Sequence, residues 1–423
     1  MCVEPAEPPS GRLTRRGVLA ASAALAGTAT ALAAGTSPAA AAPIRPGRAG
    51  DLVVEGGTLL DPATGEVTED AVVVIRDGVV RAAGSRARVD VPEDTPRLDA
   101  HGHWMLPGLI DAHIHLNTAA EARTAVRQGA TSARSGSTNF YQDIAVRELA
   151  RRSPGLAPRL RAAGVFVTPD LGDTVLADPD LTPLARLKDG VRSAEALRRV
   201  VEVNLARGAD VVKTRVNERA GLPEQDPLAQ VYSHEQLAEV VAAARRGGRG
   251  VLCHSYSERG CHDAVTAGIR SLEHGVFVGE RTLREMRGRG TYFTPTLTAI
   301  AGLADSSDPV LAERGRAYLP VLKKAVLAAH ELGVPLAAGT DSSGGSITPI
   351  GREVELMRAA GLSALDALRT ATTGAARLLG LTGTAGRLTR GHAGDVLLVA
   401  GDPLADVSVL KSPVRVVRSG LAL

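Results

Sequence analysis

The chain has 423 residues, enough for one large domain with a smaller one beside it. Its composition, with 44% hydrophobic and 22% charged residues and a net charge of +3, excludes an intrinsically disordered protein. Aromatic residues make up 2% of the chain, and the basic residues are spread along it without a basic block. These features exclude a nucleic-acid partner from the expected functions.

Residues 1–42 have the pattern of a twin-arginine-type signal peptide. Arg15 and Arg16 precede an uncharged run from Gly17 to Pro43, which ends in the small residues "SPAAAAP" that suit a signal peptidase. A retained membrane anchor is the alternative, because the run is long enough to span a bilayer. Its weak hydrophobicity favours cleavage. We therefore expect an exported protein, periplasmic or extracellular, without a stable membrane span after cleavage.

The two ends of the remaining chain share one pattern. Residues 43–104 and 385–423 contain short β-branched runs separated by Gly, Asp-Pro and Asp-Gly, which is typical of antiparallel strands and tight turns. We expect both segments to pair into one small β-sandwich domain.

Residues 105–384 alternate between apolar runs and helical patterns. Eight apolar runs fit β-strands, and helical patterns lie between most of them, for example at 193–207, 233–246, 259–267, 280–289 and 310–332. This alternation predicts the α/β class and, more narrowly, a (β/α)8 TIM-type barrel. Residues 168–192 are rich in Pro, Asp and Gly and are predicted to form a long loop after the third strand.

Polar side chains stand at the ends of the predicted barrel strands. In "LIDAHIHLN" two histidines point to the same face, because successive side chains of a strand alternate. The C-terminal ends of all barrel strands meet at one mouth. Six polar side chains are therefore expected to gather at this mouth, where the paired histidines could bind a metal ion: His113, His115, Lys213, His254, His274 and Asp341.

The segments "PGLIDAHIHL", "GADVVK", "SLEHG", "AAGTDS" and "RLTRGHAGDVLLVAGDPLADV" resemble the amidohydrolase superfamily. The pattern is most similar to the branch of imidazolonepropionase-like proteins and metal-dependent Xaa-Pro dipeptidases. The resemblance implies two divalent ions, with Zn²⁺ favoured by the nitrogen and oxygen donors. It also implies a CO₂-derived carbamate on Lys213 that bridges them. His113, His115 and Asp341 would hold the inner ion, and His254 and His274 the outer one.

The mechanism implied by this resemblance is attack of a metal-bridging hydroxide on an amide carbonyl. Asp341 would accept the proton and pass it to the leaving amine. Tyr256, two residues after His254, is predicted either to donate a hydrogen bond to the developing oxyanion or to pack within its loop.

The resulting hypothesis is an exported metal-dependent amidohydrolase that cleaves the carbon–nitrogen bond of a dipeptide or N-acyl amino acid. Its partner is thus a small-molecule amide, and homo-oligomerisation is left open. Two alternatives remain. One is a mononuclear cyclic-amide hydrolase similar to imidazolonepropionase. The other is a non-catalytic exported binding protein on the same scaffold.

Four further charged residues lie near the predicted site in sequence. Arg134 ends the second strand and is predicted to form a buried ion pair across the barrel rather than to contact substrate. Strand alternation predicts that Asp210 and Glu273 point away from the mouth, toward the helices. Arg352 would either bind a substrate carboxylate or form a solvated charge at a helix start.

Overall fold

The structure is a computed structural model that describes residues 49–172 and 178–423. The predicted signal peptide at residues 1–42 lies outside the described residues. Among the described helices, none combines the length and the apolar character needed to cross a membrane.

The described β-strands and α-helices follow one another in the order that the sequence predicts for most of its length. The strands are β1 Leu52–Leu60, β2 Val67–Arg76, β3 Val79–Ser85, β4 Arg97–Asp99, β5 Trp104–Pro107, β6 Leu109–Ile114, β7 Ala130–Ser135, β8 Arg159–Arg161, β9 Val212–Arg215, β10 Val251–Ser255, β11 Ser271–His274, β12 Tyr292–Thr294, β13 Val396–Val399, β14 Arg415–Arg418 and β15 Leu421–Ala422. The α-helices are α1 Ala119–Arg127, α2 Gln142–Arg152, α3 Thr182–Ala185, α4 Ala194–Ala206, α5 His234–Arg246, α6 Glu258–Ala267, α7 Glu280–Arg289, α8 Leu297–Ala304, α9 Pro309–Glu331, α10 Ile350–Ala359, α11 Ala364–Arg369 and α12 Ala375–Leu378. A π-helical turn, Thr370–Gly374, connects α11 to α12.

The first and last strands of the described chain build one eight-stranded sheet. Its order is β15-β14-β13-β5-β1-β2-β3, and β4 pairs with β1. The antiparallel pairing of β13 with β5 joins the two chain ends, with Leu397 opposite Leu106. Side chains such as Val54, Ile75 and Val417 form a buried core on this sheet. The predicted β-sandwich is not confirmed, because the described strands of both ends lie edge to edge in a single sheet.

The middle of the chain has a TIM-barrel-like fold with parallel strands and outer helices. One parallel sheet has the order β6-β7-β8, and another has the order β12-β11-β10-β9. Isolated parallel bridges connect these sheets to their neighbours, at Val167–Thr214 and Phe293–Leu336. The described strands therefore do not close into one continuous eight-stranded barrel.

The apolar run predicted as the eighth strand is extended but does not form a regular ladder. The backbone N–H of Ala112 donates to the carbonyl of Ala338, and that of Asp341 donates to the carbonyl of His113, so this segment lies beside β6. The N–H of Ala338 donates instead to Thr370 in the π-helical turn. Diversion of that donor interrupts the ladder between this segment and β6.

The crossover helices explain why the polar strand ends meet. A parallel pair needs a long connection that brings the chain back to the starting edge, and a helix supplies it. The helix α5, for example, begins with a capping box in which Ser233 and Gln236 satisfy each other's backbone N–H groups. It returns the chain from the C-terminal end of β9 to the start of β10, so that Lys213 and His254 lie toward the same end of the barrel.

Candidate metal centre

Three of the predicted ligands form a compact group at the mouth of the barrel. The Oδ1 atom of Asp341 lies 3.0 Å from Nε2 of His115 and 3.4 Å from Nε2 of His113. One ligand atom from each residue lies within 4.8 Å of the others, and all three residues are buried. Two imidazole nitrogens and one carboxylate oxygen in this arrangement can hold a divalent cation.

Lys213 lies directly against this group. Its side chain is fully buried, and its Nζ is 3.1 Å from Nε2 of His113. It forms no ion pair within 4.0 Å with a carboxylate of the described chain. Burying an amine without a directly paired carboxylate is costly, so the lysine is an unusual neighbour for an imidazole nitrogen.

The ring of His274 has one buried nitrogen whose lone pair is available to a ligand. Its Nδ1 is 2.7 Å from the Thr296 hydroxyl, which itself donates to the carbonyl of Pro295. The His274 Nδ1 therefore carries the proton, and the lone pair is on Nε2. That Nε2 is buried and has no hydrogen-bond partner in the part of the chain that the structure describes. Buried polar atoms without a partner are rare in native proteins.

The electrostatic environment keeps His274 in the form that metals bind. Burial, together with the charge of neighbouring His254, holds the pKa of His274 well below its ordinary value. The two rings have their centroids 4.5 Å apart, and the ring of His113 is 5.4 Å from that of His274. A neutral imidazole at neutral pH is the state required of a metal ligand.

In each of the other three histidines of the cluster, one ring nitrogen contacts an oxygen that is not itself a candidate ligand. Their partners are Glu273 Oε2 at 2.6 Å from His113 Nδ1, the Ser137 carbonyl at 2.7 Å from His115 Nδ1, and the Glu218 carbonyl at 3.0 Å from His254 Nε2. Acceptors of this kind fix the tautomer and the ring orientation of metal ligands. The anchoring therefore leaves the second nitrogen of each ring as the one that carries the lone pair.

Gly136 leaves the space that a cation needs. A Cβ atom at this position would lie 2.6 Å from Nε2 of both His113 and His115. Zinc binds imidazole nitrogen at about 2.0–2.1 Å. The space beside Gly136 is therefore too small for a side chain but large enough for an ion. The nitrogen and oxygen donors, the unsatisfied Nε2 of His274 and this open space together fit a divalent metal centre.

The predicted direction of Glu273 is wrong. Its carboxylate faces the barrel interior, where it accepts from His113 and from NH2 of Arg134 at 2.9 and 3.0 Å. The reason is the backbone of His274, which has a φ of 68°. This left-handed conformation breaks the alternation at the end of β11, so that His274 turns into the mouth although Glu273 also faces inward. The predicted buried ion pair of Arg134 is confirmed.

Glu273 remains ionised despite its complete burial. Burial raises the pKa of its carboxyl group, but the positive charge of Arg134 and the contact with His113 lower it to about 2. An ionised carboxylate at this position accepts the Nδ1–H of His113 and makes its Nε2 a better electron-pair donor.

Asp111 is a functional residue that the sequence reasoning missed. Its carboxylate accepts the backbone N–H of His113 at 3.1 Å, and both the N–H and the hydroxyl of Thr340, at 3.1 and 2.7 Å. Burial raises the pKa of Asp111 to about 6. It joins β6 to the residue before Asp341, so it fixes the relative positions of two ligands. The only sequence signal was a carboxylate inside an apolar strand.

Tyr256 lies against the predicted outer ligands. Its ring is stacked on His274, with centroids 5.2 Å apart and an interplanar angle of 10°, and meets His254 edge-on at 4.8 Å. Its predicted hydrogen bond to an oxyanion stays a prediction.

Asp210 contacts Arg147 of α2 at 2.8 Å, on the helix side as predicted.

Arg352 lies in α10, where its partner is Glu355 in the same helix, and its side chain is 42% exposed. This contact fits a solvated charge near the start of a helix rather than a group aimed at the ligand cluster.

Comparison with known proteins gives consistent results. Residues 104–422 match the amidohydrolase family. Ochratoxinase from Aspergillus niger is 28% identical over 403 residues, which cover 84% of this chain and 82% of that protein.

Two solved structures have the same fold. A Xaa-Pro dipeptidase with bound methionine superposes with a TM-score of 0.77 at 23% identity, covering 88% of this chain and 99% of that one. The structure of A. niger ochratoxinase gives a TM-score of 0.72 at 24% identity and covers 88% and 95% of the two chains. Because the family match covers most of the sequence, the chain belongs to the amidohydrolase family and is a hydrolase acting on carbon–nitrogen bonds.

Proposed function

We propose that the protein is an exported, metal-dependent amidohydrolase that cleaves the amide bond of a dipeptide or an N-acyl amino acid. The observation that carries this proposal is the convergence of imidazole and carboxylate donors from distant strands on one buried point. The similarity to a Xaa-Pro dipeptidase and to ochratoxinase supports an amide substrate of this size.

The donors divide into two groups, which supports a binuclear site. His113, His115 and Asp341 would hold the inner ion, and His254 and His274 the outer one. A CO₂-derived carbamate on Lys213 would bridge the ions and would convert a buried amine beside His113 into an anionic ligand. When bound, such ions, for which Zn²⁺ suits the donors, supply an activated water and polarise the amide carbonyl.

The protein's own side chains would then handle the protons and the substrate oxygen. The carboxylate of Asp341 lies at the centre of the inner group, where it takes up the proton of the attacking water and delivers it to the leaving nitrogen. Tyr256, packed against both outer histidines, donates its hydroxyl hydrogen to the oxygen that gains charge.

Metal analysis of the purified protein tests the two-ion assignment. We expect two ions per chain in the wild type and one or none in Lys213→Ala, because the bridging ligand is lost. The exposed Lys188→Ala serves as the matched control and keeps both ions. One ion in the wild type and an unchanged count in Lys213→Ala would favour the mononuclear cyclic-amide hydrolase, which the tight three-residue donor group also fits.

The substrate class and the export route need separate experiments. Hydrolysis of dipeptides and N-acyl amino acids by the metal-loaded protein, with cyclic amides as the competing class, tests the reaction.

For export, the double variant Arg15→Lys with Arg16→Lys should remain in the cytoplasm with an uncleaved N-terminus, since the twin-arginine pair is the recognised element. Equal export of this variant and the wild type would contradict the proposed route.

A further inference from the structure

Aromatic rings are concentrated around the metal centre of a chain that contains few of them. The sequence has four phenylalanines and five tyrosines, and aromatic residues are 2% of the total. The rings of Phe166, Tyr256, Phe277 and Tyr318 lie at the ligand cluster or in a contact series that starts from it. The main core is built largely from Leu, Val, Ile and Ala, with Tyr256 among its few aromatic members and with Phe277 and Tyr318 packed against it.

Three of these rings form a series that leads away from His274. Tyr256 stacks on His274 with centroids 5.2 Å apart, Tyr318 follows at 6.4 Å from Tyr256, and Phe277 meets Tyr318 edge-on at 5.0 Å. Tyr256 is buried, but Tyr318 and Phe277 are half-buried. The series therefore runs from the ligands toward solvent and keeps ring surface accessible along its outer part.

The fourth ring borders the other part of the ligand cluster. Phe166 is half-buried, and the centroid of its ring is 5.6 Å from Nζ of Lys213 and 5.9 Å from the guanidinium carbon of Arg215. Aromatic surface thus adjoins the centre both at Lys213 and at the pair formed by His254 and His274.

We infer that the substrate carries an aromatic ring directly beside the scissile amide, a conclusion that rests on the proposed function. Aromatic rings attract one another in offset-stacked or edge-to-face arrangements at centroid distances of about 4.5–7 Å, the range found within the series itself. A half-buried ring such as Tyr318 offers this geometry to a further ring. Tyr318 is accordingly a specificity-determining residue.

Matched substrates that differ only in aromaticity test the inference on the metal-loaded full-length protein. One pair is N-benzoylglycine and N-cyclohexanecarbonylglycine. The other is glycylphenylalanine and glycylcyclohexylalanine, which puts the ring on the opposite side of the bond. We expect kcat/KM to favour the aromatic member by about tenfold in at least one pair, a factor within the range of a single aromatic contact.

Variants at position 318 test whether the preference for aromatic substrates depends on the series of rings that leads away from His274. Tyr318→Leu is expected to remove most of the aromatic-to-aliphatic ratio, and Tyr318→Phe, which keeps the ring, to retain it. A ratio that is unchanged in Tyr318→Leu would overturn the role of this residue. If Tyr318→Leu does not fold, the wild-type protein alone decides. The inference is overturned if the kcat/KM values of the aromatic and aliphatic members differ by less than twofold in both pairs.

Failure of the proposed function would give a different result. If none of the amides is hydrolysed, binding of the product pairs is measured by calorimetry, with benzoate against cyclohexanecarboxylate and phenylalanine against cyclohexylalanine. Preferential binding of an aromatic member by about tenfold would support the aromatic site although the proposed reaction had failed. Equal binding within both pairs would overturn the inference.

Discussion

Replacement of Gly136 by alanine would place a methyl group where the inner metal ion is proposed to bind. The added Cβ would lie 2.6 Å from the Nε2 atoms of His113 and His115 and 2.7 Å from Cδ2 of His113. Ordinary contacts between such atoms are near 3.5 Å, so the rings would have to move by close to an ångström. The backbone is not the obstacle, because Gly136 is outside the left-handed region that favours glycine.

The rings are not free to make that movement. Nδ1 of His113 is held by Glu273 at 2.6 Å, and Nδ1 of His115 is held by the Ser137 carbonyl at 2.7 Å. Overpacking of this kind costs about 1–3 kcal/mol of folding stability in the metal-free protein. Because the methyl group takes the ion's space, we expect metal affinity at the inner site to fall by at least about 100-fold.

Metal content by mass spectrometry and thermal unfolding with and without added zinc measure the effect. A ligand at 1,000 times its Kd stabilises a folded protein by about 4 kcal/mol, so zinc should raise the Tm of the wild type but not that of Gly136→Ala. Gly302→Ala is the matched control, since a Cβ in this exposed position of α8 meets no atom within 4 Å. A Gly136→Ala protein that retains the wild-type metal content and zinc response would refute the reasoning.

Three further substitutions test the groups around the ligands. Glu273→Gln should weaken metal binding by about 10–100-fold, because His113 loses its ionised acceptor, and metal titration measures this. Asp341→Asn should lower kcat by about 10²–10⁴ in a substrate assay, since the amide cannot accept the proton. Burial raises the pKa of Glu353 to about 7 from 4.5. Its contribution to stability is therefore present below pH 4.5 and is lost as the pH rises through 7, on the order of 3 kcal/mol. Glu353→Gln should remove this pH dependence in chemical unfolding at pH 5 and pH 8.

Each of these three predictions would be contradicted by a specific result. Unchanged metal affinity in Glu273→Gln would show that the ring of His113 is held by other contacts. A kcat of Asp341→Asn within tenfold of the wild type would assign the proton transfer to another group. Parallel stability profiles of Glu353→Gln and the wild type would show that the Glu353 carboxyl, which accepts from the N–H groups of Leu297 and Thr298, titrates normally.

The positions of the six candidate ligands could be predicted because each depends on local order along the chain, whereas the ligand role of Lys213 came only from the family resemblance. A polar residue that directly follows a buried apolar run stands at a strand end, and parallel strands joined by helices put those ends together. This reasoning needed no knowledge of which residues touch. It placed His113, His115 and Asp341 in the group that the structure brings within 4.8 Å, and the structure places the other three beside them.

The β domain predicted from residues 43–104 and 385–423 shows where local sequence patterns were insufficient to predict the fold. Short β-branched runs and turns indicate antiparallel strands but not how many sheets they form. The structure joins them in one sheet through β5, because this strand pairs with both β1 and β13. Edge-to-edge and face-to-face packing require the same alternating side chains, so the sequence pattern does not distinguish them.

By itself the sequence determined the order of strands and helices, the family resemblance and the identity of the candidate ligands, and its export-type N-terminus stays a prediction. Only the tertiary structure decided how those ligands are held. The contact of Arg134 with Glu273 joins residues 139 positions apart, and the left-handed φ of 68° at His274 departs from strand alternation. The open space at Gly136 likewise exists only where the ends of the paired strands β6 and β7 meet. Such features arise from packing between segments remote in sequence, which no local period of side chains encodes.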